Sequence, residues 1–181
     1  MSLPANPAGT DIQGLFRLFP PAEYMTRAEL VPPGRVPKPY QQLLVNEDHM
    51  TLTVEAHHHD LVDVQILEYR VAGDSYARKI LLSLQKSGRI VMFGLMRVDF
   101  QYCSEAVRRE IIAGQTPLGR VLIEHNVLRR VEPTAFVRVV PAAAMMTWFG
   151  LDRPRPTYGR FALIHCDEQP AVELLEIVTP E

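Results

Sequence analysis

Ala77-Arg78-Lys79-Ile80-Leu81-Leu82-Ser83-Leu84, residues 77–84, sets Arg78 on the same side as Ile80, Leu82 and Leu84 if the chain is extended, because residues two apart in a strand share a face. A guanidinium keeps its proton, so an arginine on an apolar face must meet a carboxylate, a phosphate or water. Either the protein supplies that anion or a ligand does. The plain alternative is an arginine at the start of a strand, running its head to solvent over an apolar stem.

Working outward, Leu61 to Val71 reads as the strand before it, joined through Ala72-Gly73-Asp74, and Arg89 to Phe100 as the strand after it, joined through Lys86-Ser87-Gly88. Such short connections make the strands antiparallel neighbours in a meander. Met50-Thr51-Leu52-Thr53-Val54-Glu55-Ala56 alternates and is expected to be the first strand of the sheet. Lys38 to Val45, with Pro39 in the first turn, is expected to be a short helix.

Ser104 caps an expected helix over Glu105 to Ala113; Gly114-Gln115-Thr116 breaks it, and a second helix opens at Thr116-Pro117. Further strands are expected over Leu128 to Val140, Arg160 to Cys166 and Ala171 to Val178, with a helical piece around Ala142 to Trp148. Strands dominate and helices cluster, which predicts an α+β fold: a single antiparallel β-sheet with helices packed against it.

At 181 residues the chain fits one domain, residues 39–181, preceded by a proline-rich arm over residues 1–38 that contains Pro20-Pro21, Pro32-Pro33 and Pro37. That arm is expected to be extended, with short helical turns at most. A net charge of −2 offers no basic field for nucleic acid. The N-terminus lacks the basic start and apolar stretch of a signal peptide, and no apolar run approaches membrane-spanning length, so a cytoplasmic protein is expected. Cys103 and Cys166, the only cysteines, have neither zinc-ligand nor Cys-x-x-Cys spacing.

His57-His58-His59-Asp60 invites a metal, but consecutive histidines in a β-type turn point apart, so a solvated hairpin tip is expected and no metal site is assigned. No Gly-rich phosphate loop, nucleophile elbow or zinc-protease helix motif is present. Thr116-Pro117-Leu118-Gly119-Arg120 would begin a helix whose free NH groups attract an anion; equally, it is a proline-initiated helix and nothing more. In Ala171 to Val178, Glu176 shares a face with Val172, Leu174 and Val178, while Glu173 lies with Leu175 and Ile177. Both faces are apolar, so alternation leaves open which glutamate points inward.

In order, the chain carries Leu43-Leu44, Glu47-Asp48-His49-Met50-Thr51, Tyr76-Ala77-Arg78-Lys79-Ile80-Leu81-Leu82, Thr116-Pro117-Leu118-Gly119-Arg120-Val121-Leu122, Leu128-Arg129-Arg130, Tyr158-Gly159-Arg160 and Leu174-Leu175-Glu176-Ile177. Over roughly residues 40–180 this series resembles the chorismate pyruvate-lyase (4-hydroxybenzoate synthase) family. The resemblance implies a chorismate lyase-like fold with an internal ligand pocket. It also implies a cofactor-independent carbon–oxygen lyase that removes pyruvate from chorismate to leave 4-hydroxybenzoate.

Residue by residue, the resemblance makes Arg78 and the amides of Met50 and Leu118 the holders of the ring carboxylate. Glu176 becomes the contact to the ring hydroxyl, able to assist proton transfer. Leu95 and Asp99 depart from the family pattern, which often has an arginine and a proline there, and Arg97 is given no role. The same fold also serves as a small-molecule-binding module in some transcriptional regulators, so the alternatives are a non-catalytic aromatic-carboxylate-binding module, or a lyase for a related cyclohexadiene carboxylate, which the Leu95 and Asp99 departures would allow. Such regulators usually have an N-terminal DNA-binding domain, for which residues 1–38 are too short and proline-rich, so the enzyme is the expected reading.

Overall fold

The computed structural model describes residues 10–181; the first nine residues of the proline-rich arm lie outside the described residues. Among the described residues, six α-helices and seven strands follow one another as α1 (Ile12–Leu18), β1 (Met25–Val31), α2 (Tyr40–Leu44), α3 (Met50–His58), β2 (Val62–Ala72), β3 (Ser75–Leu84), β4 (Ile90–Asp99), α4 (Glu105–Ala113), α5 (Leu118–Glu124), β5 (Arg129–Pro141), α6 (Ala143–Phe149), β6 (Thr157–Cys166) and β7 (Gln169–Val178). The strands form one antiparallel sheet in the order β1-β5-β6-β7-β4-β3-β2. The α+β architecture expected from the sequence is the one observed.

Two meanders and the edge strand β1 make up this sheet. Strands β2, β3 and β4 turn through Gly73 and Gly88, both at positive φ, where a missing Cβ removes the steric penalty. Strands β5, β6 and β7 form the other, and β4 joins β7 between them, with Gly94 opposite Glu176. Ser104 Oγ accepts from the Val107 NH, and Gly114 ends α4 at φ 69°, so that helix begins and stops where its cap residues dictate.

Alternation along each strand divides the core. Ala77, Leu81, Phe93, Leu95, Phe161, Leu175 and Ile177 pack under Ile12 and Phe16 of α1 and Met145 and Phe149 of α6. On the opposite face, Tyr76, Met96, Ile164, Val172 and Leu174 meet α4 and α5, and Ile80, Leu82, Met92 and Val178 meet α2 and α3. The sheet is thus covered on both sides, which is why β3, β4, β6 and β7 read as near-continuous apolar runs.

Three expectations are corrected. Residues 50–56 are helical: Met50, Thr51 and Val54 are buried while Leu52 is 47% exposed, a helical face rather than an alternating one. Seven residues are too few to separate the two periods. His57 and His58 close that helix and His59 is its left-handed cap at φ 53°, so the three histidines form a helix end and not a hairpin tip. The proline-rich arm is more ordered than its composition indicates: it contributes α1 and the edge strand β1, which pairs with β5 from Met25 to Val31.

Gly159 of β6 lies so close to β7 that a Cβ there would be 2.5 Å from the Glu176 carbonyl oxygen and 2.8 Å from Ile177 Cγ1. Backbone cannot yield as a side-chain tip does, so Gly159→Ala is expected to cost about 2–3 kcal/mol, read as a lowered urea midpoint.

Candidate functional site

Arg78 is fully buried in the sheet face beneath α3, α4 and α5. Its Nη1 donates to the Ile111 carbonyl at 3.2 Å, whereas Nε and Nη2 have no hydrogen-bond partner. Burial lowers its pKa from the usual arginine value, an effect opposed by Tyr76, yet a guanidinium so perturbed remains protonated. Buried donors without acceptors are rare in folded proteins and cost about 1–3 kcal/mol each. The sequence signal at Arg78 therefore ends in a deficit: the charge is inside, and the chain satisfies it only in part, through the Ile111 carbonyl and Tyr76.

A narrow cavity adjoins this guanidinium. Its empty space, open solvent at the mouth included, is about 460 Å³, and it is lined by Arg78, Ile80 and Leu82 of β3, Met92, Gly94 and Met96 of β4, Leu174 and Glu176 of β7, and His49, Met50, Thr51, Leu118 and Gly119 at the starts of α3 and α5. Gly94 keeps the floor open, since a Cβ there would come within 3.1 Å of Ile80 Cγ1. Met50 and Leu118 are the first residues of their helices, where NH groups have no carbonyl within the helix to donate to.

All four residues singled out from the sequence, Arg78, Glu176, Met50 and Leu118, line this one cavity. Glu173 is on the other face, accepting from Arg97 Nε at 2.6 Å and from the Asp11 NH at 2.9 Å. Arg97 thereby fastens α1 to the sheet, away from the cavity. Leu95 is buried, and Asp99 caps the turn that follows β4 by accepting from the Gln101 NH.

Arg160 is the residue the sequence reading passed over. Fully buried, it donates from Nε to Glu176 Oε2 at 2.7 Å, from Nη1 to the Asn46 carbonyl at 3.0 Å and from Nη2 to the Asp48 carbonyl at 2.8 Å. Arg160-Phe161-Ala162-Leu163-Ile164 carries the same signal as the Arg78 strand, an arginine within an apolar run, and could have found it.

The roof is held by a second set of contacts. Arg120 of α5 pairs with Glu55 of α3, whose Oε1 also accepts from the Val62 NH at 3.0 Å. Gly119 abuts His49, where a Cβ would be 3.0 Å from the His49 Cβ. Arg129 Nε donates to His49 Nε2 at 2.8 Å, so the ring is a neutral acceptor.

Burial, then Arg129 and Arg160, hold the His49 pKa at about 4 against an ordinary 6.5. Because the folded value lies below the unfolded one, stability is full above pH 6.5 and is lost as the unfolded chain takes up its proton on the way down toward pH 4. Stability should fall by about 2 kcal/mol between pH 6.5 and 5. His49→Gln, which retains an acceptor for Arg129, should flatten that slope in urea titrations.

Among the described residues, His57, His58 and Glu181 bring ligand atoms within 4.8 Å of one another. Arg89 Nη2 already lies 3.1 Å from His58 Nδ1, which disfavours a cation there. No described helix is long and apolar enough to cross a membrane.

No protein-family model matches the chain, and no curated protein matches it. Among solved structures, PhnF from Mycobacterium smegmatis is 12% identical, with a TM-score of 0.57 over 81% of this chain and 74% of that one. The chain shares its fold with PhnF. The effector domain of PhnF, solved separately, is 10% identical with a TM-score of 0.52, over 73% of this chain and 88% of that domain. These structures correct the expectation of a carbon–oxygen lyase: the fold matched is that of an effector domain.

Proposed function

We propose that the protein is a binding module for a small aromatic or cyclohexadiene carboxylate, held in the cavity between the sheet and the starts of α3 and α5. The observation that carries this reading is Arg78, buried with two guanidinium NH groups unsatisfied beside a cavity. A ligand carboxylate supplies the acceptors they lack, and charge-assisted bonds of this kind are about twice as strong as neutral ones. The Met50 and Leu118 amides add donors to the same carboxylate. Ile80, Leu82, Met92 and Leu174 enclose the ring.

Glu176, one oxygen held by Arg160, presents an acceptor to a ring hydroxyl. PhnF has an effector domain of this fold, which supports a sensing role over a catalytic one. Calorimetry with benzoate, 4-hydroxybenzoate and chorismate tests the reading. Benzoate should bind, and 4-hydroxybenzoate about tenfold more tightly through the extra bond to a charged acceptor. Absence of binding by every aryl carboxylate overturns the pocket assignment, and conversion of chorismate to pyruvate overturns the non-catalytic role.

A further inference from the structure

Arg160 reaches five acceptors: Glu176 Oε2 on β7, the carbonyls of Leu44, Asn46 and Asp48, and Asn46 Oδ1. Residues 45–49 connect α2 to α3, the guanidinium bonding along 45–48, and α3 begins with the cavity-lining Met50. Other hydrogen bonds of residues 45–48, from Asn46 Nδ2 to the Gln42 and Leu43 carbonyls and from the Asp48 NH to Asn46 Oδ1, stay within them and α2. The Arg160 guanidinium fastens residues 45–48 to the sheet, and Arg129 of β5 holds His49 beside them. Arg160 does so with the same planar group that fixes the Glu176 carboxylate.

We infer that Arg160 is a positioning residue coupling Glu176 to residues 45–48, so that a ligand donating a hydrogen bond to Glu176 also tightens this segment. The coupling to ligand rests on the pocket reading above; the positioning role does not. A donor on the free oxygen of Glu176 fixes the carboxylate plane, the carboxylate fixes the guanidinium, and the guanidinium fixes three carbonyls in turn. Hydrogen bonds in such a chain reinforce one another in a buried setting. Lysine, a point charge with three donors, cannot span both sides of this arrangement.

Amide hydrogen exchange on the full chain tests this, comparing wild type with Arg160→Lys, each alone and with benzoate or 4-hydroxybenzoate. Without ligand, amides 44–50 should exchange at least about tenfold faster in the variant, with β2 unchanged. In wild type at equal saturation, 4-hydroxybenzoate should slow those amides more than benzoate does. The preference for 4-hydroxybenzoate should collapse from about tenfold to near unity in the variant.

Unchanged exchange at residues 44–50 overturns the positioning role whether or not any ligand binds. Equal weakening of both ligands, with the preference intact, overturns the coupling. Wild type binding neither ligand overturns the pocket reading and with it the coupling, while the ligand-free comparison still decides the positioning role. Should Arg160→Lys fail to fold, Arg160→Met combined with Glu176→Leu removes both charges together, and faster exchange confined to residues 44–50 is the expected result.

Discussion

Arg78→Met is expected to stabilise the ligand-free protein while removing carboxylate binding, opposite changes from one substitution. Two buried NH groups without acceptors burden the folded state, and methionine fills a similar volume without donors. Against this stands the loss of the bond to the Ile111 carbonyl, worth about 1.5–3 kcal/mol at a charged donor. The net gain should be about 1–2 kcal/mol, seen as a raised urea midpoint with unchanged slope. Affinity for benzoate should fall at least about 100-fold, because a carboxylate buried without its cation is strongly disfavoured. A variant that loses stability and keeps its affinity would show that Arg78 serves the fold alone.

Arg160 is equally buried, but its acceptors are supplied by the protein, and the sign reverses. Arg160→Leu and Glu176→Leu should each cost about 3–5 kcal/mol, since each strands the opposite charge in a dry interior. Joining them should recover most of that loss, leaving about 1–2 kcal/mol for the carbonyls of Asn46 and Asp48. Urea denaturation of the two single variants and the pair measures the coupling directly. Additive losses would mean that the ion pair contributes no mutual stabilisation.

Strands between tight turns were legible because glycine and lysine-serine pairs punctuate long β-rich runs, and β2 to β4 and β5 to β7 lie close to where alternation puts them. Helix α3 was not, since Met50, Leu52 and Val54 satisfy a strand while Met50, Thr51 and Val54 satisfy a helix, and only tertiary contact chooses. Strand β1 was concealed by prolines on either side, at an edge where the sheet tolerates them. Glu173 and Glu176 could not be ranked by pattern because helices cover both faces, so each glutamate points into a packed layer. Arg78 was visible from its setting. Arg160 sat in an equivalent one, but its partners lie in a loop far away in sequence, and no local pattern announces such a clamp.

The two-meander sheet also sets the order in which the cavity comes into being. Within each meander the connections are short, the longest being residues 142–156 with α6, whereas β4 and β7 join residues as distant in sequence as Met92 and Val178. Pairings of that kind form slowly, because a long chain must lose its freedom before any contact rewards it. Arg78 and Gly94 belong to the first meander, and Glu176 and Arg160 to the second. Neither half holds a site by itself, so ligand capacity in refolding should appear only once β4 has paired with β7, and a bound ligand acts as a clasp across that junction.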